Sequence, residues 1–146
     1  MSGVLRFFIH VPPGVKGNSK RIVRFGRRLG LIGRDKDRQC EADVVRVARQ
    51  FAPPEPWLGP LRLDVTFVLA PPASWSDKKK DAAVAGEILP DVRPDRGNYL
   101  KLIEDALPHA GFCRDDAQFC VGEVAKRYGA VAGYEIAISR IGGVAT

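Results

Sequence analysis

The sequence is poor in cysteine, with only Cys40, Cys113 and Cys120. An odd count without a CxxC pair excludes a disulfide framework and gives no zinc-site spacing, so the three are expected to be reduced core or surface thiols. Histidine is scarcer still. His10 and His109 stand alone in the chain and are read as satisfied or solvent-facing side chains. No apolar run approaches the roughly 20 residues of a membrane span. The start, MSGVLRFFIHVPPG, lacks the charged opening, long apolar core and cleavage site of a secretory signal. A cytoplasmic protein with no membrane segment is therefore expected.

What is present fits one ordinary core. At 146 residues, with 45% hydrophobic and 27% charged residues, the chain has the balance of a globular protein and the length of one domain over 1–146. Charge is unevenly spread. Nine basic residues (Lys16, Lys20, Arg21, Arg24, Arg27, Arg28, Arg34, Lys36, Arg38) face only Asp35 and Asp37 between positions 16 and 38, a net +7 against +6 for the whole chain. Such a concentration suits a phosphate-contacting surface, because neutralising phosphates releases condensed counterions. A merely solvated face is the plainer alternative.

Alternation of Leu5, Phe7, Ile9 and Val11 with Arg6, Phe8 and His10 predicts a first strand, and residues 12–20 read as a Pro/Gly/Asn/Ser loop. Residues 21–32 are expected to form an Arg-rich hairpin turning near Gly26. Cys40, Val44, Val47, Ala48 and Phe51 fall at helical spacing over 37–51, ended by Pro53, Pro54 and Pro56. Leu61, Leu63, Val65, Phe67 and Leu69 form the clearest strand. Ser74-x-x-Asp77 predicts a cap opening a short lysine-rich helix that Gly86 stops, and Lys78, Lys79 and Lys80 on it are candidates to face DNA. A longer helix is expected from Pro94, at its initiating position, to Leu107, with Leu100, Ile103 and Leu107 inward and Asn98, Lys101 and Asp105 on a polar stripe. After a turn at Gly111, strands are expected over 118–128 and 133–141, the latter with Tyr134, Ile136 and Ile138 inward. The sum is an α+β domain, a mixed sheet packed by two to four helices.

Candidate chemistry is concentrated in Asp91, Asp95, Asn98, Asp105, Asp115 and Asp116, with Lys101 among them. Hard cations such as Mg²⁺ take oxygen ligands, commonly one or two carboxylates completed by phosphate and water, so this set suits phosphoryl-transfer chemistry. Acidic residues are also favoured at helix starts and in turns for purely structural reasons. Trp57 and Trp75 border proline-rich turns and are read as packing caps, with insertion into an open DNA junction as the functional alternative.

Three runs taken together are more specific: SWSDKKKDAAVAGE (74–87), RPDRGNYLKLIEDAL (93–107) and AGFCRDDAQF (110–119), with Lys126 beyond them. They resemble the RusA family of Holliday junction resolvases, common in phages and prophages. Its pattern runs Pro-Asp-x-Asp-Asn-x-x-Lys, then Asp-Ala-Leu, then Asp-Asp-x-Gln. The likeness extends more loosely over nearly the whole chain.

Position by position, the resemblance places the first acid at Asp95, the Asn at Asn98, the Lys at Lys101, the helix Asp at Asp105 and the paired acids at Asp115 and Asp116. The second acid of the first motif falls on Gly97. The resemblance implies a homodimeric, Mg²⁺-dependent (or Mn²⁺-dependent) endonuclease that cuts four-way DNA junctions in a bacterial cell. Asp95, Asp115 and Asp116 would be metal ligands, Lys101 would stabilise charge on the scissile phosphate, and Asn98 would orient a ligand. DNA contacts would come from Lys16, Lys20, Arg21, Arg24, Arg27, Arg28, Asn98 and Lys101. A two-fold dimer suits a junction that must receive two matched nicks. Three readings of Gly97 stand open: a weak or inactive natural member that binds branched DNA, replacement by another acid such as Asp91 or Asp115, or a substitution introduced into the chain.

Overall fold

The structure, a computed structural model, describes residues 3–15, 20–25, 28–33 and 35–142, with side chains over 3–15 and 39–142. Lys16 and Arg27 therefore lie outside the described residues. So do the side chains of Lys20, Arg21, Arg24 and Arg28.

Strands β1 (Val4–Ile9), β4 (Leu61–Leu69), β5 (Phe119–Val121), β6 (Val124–Tyr128) and β7 (Gly133–Arg140) build one mixed sheet. β7 lies antiparallel between β1 and β4, with Ile136 opposite both Phe7 and Val65. β5 and β6 take successive lengths of the far edge of β4, both parallel to it, at Leu61↔Phe119 and Val65↔Val124. Strands β2 (Lys20–Phe25) and β3 (Arg28–Gly33) pair as a separate antiparallel hairpin, Phe25 opposite Arg28, and Gly26, the expected turn residue, lies outside the described residues.

Helices α1 (Asp35–Ala48) and α3 (Arg96–His109) pack on each other and on one face of the large sheet, and α2 (Asp77–Val84) lies against β6. The period-two pattern of β4 explains the layering. Leu61, Leu63, Val65 and Phe67 are buried beside Tyr134, Ile136 and Ile138 of β7, whereas Arg62, Asp64 and Thr66 are half-buried on the opposite face. There Arg62 Nε bonds Asp64 at 2.9 Å and holds its carboxyl below the usual range. The expected α+β class, mixed sheet and packed helices are the observed ones. Among the described residues no helix is long and apolar enough to cross a membrane, and none of Cys40, Cys113 and Cys120 is disulfide-bonded. Burial pushes the Cys113 thiol up to about 11, which keeps it an unreactive core group.

Four local expectations shift. The segment 118–128 is broken, because Gly122 (φ 153°) jogs the chain between β5 and β6. α2 is capped by Ser76 Oγ, which accepts from Lys79 N at 3.2 Å. Ser74 instead lies in the turn closed by Trp75 N on Pro72 O. α3 begins after Asp95 rather than at Pro94, since an extended Asp95 (ψ 168°) offers a carboxylate to the first free amides. Its buried stripe is Tyr99, Leu102, Ile103, Ala106 and Leu107, the i, i+3, i+4, i+7, i+8 set, with Leu100 only half-buried at the rim. Gly86 and Gly111, with φ of 89° and 99°, turn the chain after α2 and α3 as expected.

Candidate active site

α3 carries most of the candidate residues. Asp95 caps it, one carboxylate oxygen accepting from Asn98 N at 2.8 Å. Asn98, Lys101 and Asp105 follow at helical spacing on one side, the first two exposed and Asp105 half-buried. Gly97 sits in the first turn in open space. A Cβ there would meet only Asp95 Oδ1, at an ordinary 3.7 Å, so a side chain at 97 fits without strain and starts beside the Asp95 carboxylate. Asp91 is exposed in the segment ahead of the helix.

Asp115 and Asp116 occupy a turn beyond α3. Asp115 caps the short 3-10 turn Asp116–Gln118, accepting from Ala117 N at 2.8 Å. That amide, with a hydrogen bond from Asp116, pulls the Asp115 carboxyl below its ordinary value. Asp116 is pushed up, first by the proton it shares with Asp115, then by desolvation and by the charges of Asp115 and Asp105. Glu104 is raised as well, mainly by burial and then by Asp116 and Asp105. The later turns of α3 and the Asp115–Asp116 turn thus form one field of negative charge. Asp95 stands apart from it, because the ten residues from 95 to 105 span about 15 Å of helix. Among the described residues no three His, Cys, Asp or Glu side chains gather as a metal-holding group.

Gln118 fixes the acidic turn. Its Oε1 accepts from Arg114 N (2.8 Å) and Asp115 N (3.1 Å), and its Nε2 donates to the carbonyls of Trp57 (2.9 Å) and Gly59 (3.0 Å). All four partners are backbone groups, so the amide has one satisfiable orientation. Gln118→Ala leaves four backbone groups to find new partners and is expected to cost about 2 kcal/mol. Gln118→Glu turns a carboxylate oxygen toward two carbonyls and should cost at least as much, both read from urea denaturation midpoints. The Asp-x-x-Gln capping-box spacing was the signal for this role. Glu104 had a fainter one, four residues after Leu100 at the rim of the buried stripe.

The remaining candidates keep their plain readings. Trp57 is buried under the Arg140 guanidinium (4.6 Å), and Trp75 packs edge-on against Tyr128 with Lys79 above it at 4.1 Å. Both are packing caps. His10 and His109 are exposed, His109 offering only its carbonyl to Arg49 at 3.4 Å. Lys78 and Lys79 of α2 are exposed and Lys80 half-buried.

Residues 11–139 match the family described as endodeoxyribonuclease RusA. A similar protein is the uncharacterized protein YqaN of Bacillus subtilis (strain 168), 30% identical over 139 residues, which cover 94% of this chain and 96% of that one. The acidic turn, the capped helix with its polar stripe and the family match lead to one conclusion: the chain belongs to the RusA endodeoxyribonuclease family.

Proposed function

We propose that this chain, acting as one domain over residues 1–146, is a divalent-cation-dependent endonuclease that resolves four-way DNA junctions by paired symmetric nicks. It works as a homodimer in the cytoplasm of a bacterial cell and originates from a phage or prophage. The observation that carries the reading is the exposed Asp115–Asp116 pair, whose mutual repulsion, reinforced by Asp105 and Glu104, a cation would relieve. Two carboxylates with phosphate and water completing the shell suit Mg²⁺ or Mn²⁺, so the donor chemistry fits. Asp115 and Asp116 would hold the ion; the family pattern names Asp95 as a further ligand, and Asp95 stands apart from the pair at the other end of the α3 polar stripe. When bound, the cation lowers the proton affinity of water and neutralises the scissile phosphate.

The chain's own groups do the rest. Lys101 balances charge that grows on the phosphate during attack, and Asn98 orients a ligand. Lys16, Lys20, Arg21, Arg24, Arg27 and Arg28, together with Lys78 to Lys80, grip the arms through phosphates, reading shape rather than bases. A homodimer matches the near two-fold symmetry of the junction and supplies one site per nick.

Gly97 favours a second reading, a branched-DNA-binding protein without catalysis. Synthetic four-way junction cleavage with Mg²⁺ or Mn²⁺ separates the two. Gly97→Asp, which restores the one metal ligand of the family pattern that is absent here, is expected to raise the nicking rate about tenfold or more. Symmetric nicking by the unmodified chain establishes a working resolvase. Binding without cleavage by both proteins establishes the non-catalytic reading, and equal affinity for linear and four-way DNA removes the junction from either.

A further inference from the structure

We propose that Lys126 is a positioning residue that, with Arg96, clasps the start of α3 to β6 and fixes the Asp95 carboxylate. The inference rests on the nuclease reading only for its catalytic consequence. Its structural content stands independently of that reading.

Lys126 pairs in register with Phe67, so its side chain leaves β6 on the face that α3 covers. An ammonium there is costly to desolvate unless its protons find acceptors. Two are present, the carbonyls of Val92 at 2.8 Å and Pro94 at 3.1 Å. Both belong to the segment running into the helix, and the Pro94 carbonyl lies in the peptide whose nitrogen is that of Asp95. On the other side, Arg96 Nη1 reaches back to the carbonyl of Val124 at 2.9 Å. Asp95 is therefore tied through both chain neighbours to two positions of one strand, 124 and 126. Held extended (φ −75°, ψ 168°), it aims Oδ1 at Asn98 N. The clasp uses backbone carbonyls rather than carboxylates, so it fixes the Asp95 backbone while adding no acidic group that would compete for a cation.

Lys126→Met keeps the aliphatic stem and removes the donors, and Arg96→Met does the same at an exposed site where folding is not at risk. In both, amide hydrogen exchange at Asn98, whose N–H is held by Asp95, is expected to accelerate, by about tenfold or more for Lys126→Met. The buried amides of Leu102 and Ile103 should keep their protection. In junction cleavage with Mg²⁺, Lys126→Met should lower kcat and raise the cation concentration needed for half-maximal rate, at unchanged junction affinity. Lys126→Arg, which restores donors, should recover part of the Asn98 protection. Unchanged Asn98 exchange in both Met variants, or a uniform rise across α3, overturns the clasp. If neither the unmodified protein nor Gly97→Asp cleaves, the nuclease reading fails while the exchange data still decide this one.

Discussion

Gly122→Ala should destabilise the protein by about 3 kcal/mol or more. A Cβ at this position would be driven into the carbonyl of Leu63, 2.6 Å from its carbon and closer still to its oxygen. The backbone there, at φ 153°, is one that L side chains rarely adopt. Neither side can yield. Leu63 is 3% exposed and is held against β7 opposite Ile138. The jog itself is pinned on β4 by Val65 N to Glu123 O (3.0 Å) and Glu123 N to Asp64 Oδ1 (2.8 Å). Relief therefore means lifting β5 or β6 from the edge of β4. For a domain whose total stability is of order 5–15 kcal/mol, that is a large fraction. A urea midpoint should fall sharply at constant slope, and a loss under about 1 kcal/mol would show that the edge repacks freely.

Asp116→Asn should abolish junction cleavage, by about 100-fold or more, while leaving folding and junction binding intact. The substitution conserves shape, and Asp116 is exposed in a turn whose cap is the neighbouring Asp115. Its loss removes one of the two adjacent carboxylates. It also ends the proton sharing that raises one partner and lowers the other. Junction affinity measured without divalent cation should hold or improve slightly, since one negative charge facing phosphate is gone. Asp95→Asn and Asp105→Asn in the same series show which end of α3 supplies the further ligand. Undiminished cleavage by Asp116→Asn would move the chemistry away from this turn.

The fold was legible wherever burial imposes a period. Alternation in β4 and β7 and the Arg-rich hairpin around Gly26 appear where their patterns put them, and so do the glycine stops at 86 and 111. What was not legible turns on choices a pattern leaves degenerate. Ser74 and Ser76 both carry a capping oxygen, and only the turn at Pro72 decides between them. Leu100 and Leu102 lie on phases of one helix that differ by little more than half a turn, and contact with the sheet selects Leu102. Residues 118–128 have uniform strand character, so the break rests on the close approach of one glycine to Leu63. In the candidate site, the family spacing singled out Asp95, Asn98, Lys101, Asp115 and Asp116, and the structure brings Asp115 and Asp116 together with Asp105 while Asp95 stands apart. Gln118 was legible from its capping-box spacing, whereas the backbone carbonyls that Gln118, Arg96 and Lys126 bond lie up to 61 positions away in sequence. Such partners carry no side-chain signature.

Gly14, ahead of the β2–β3 hairpin, has its N–H held by the buried Tyr134 hydroxyl at 2.8 Å. Cys40, beyond the hairpin, places its Sγ within 4.0 Å of the Pro12 carbonyl. The two ends of the stretch that holds the hairpin are thus side by side, and the hairpin shares no strand with the large sheet. Because the stretch from 16 to 38 holds a net +7 of the chain's +6, everything outside it sums to −1. The excess positive charge therefore lies on a stretch whose two strands stand outside the large sheet. Descendants of this protein could exchange the hairpin for one of another length or charge without altering a strand pairing of the large sheet.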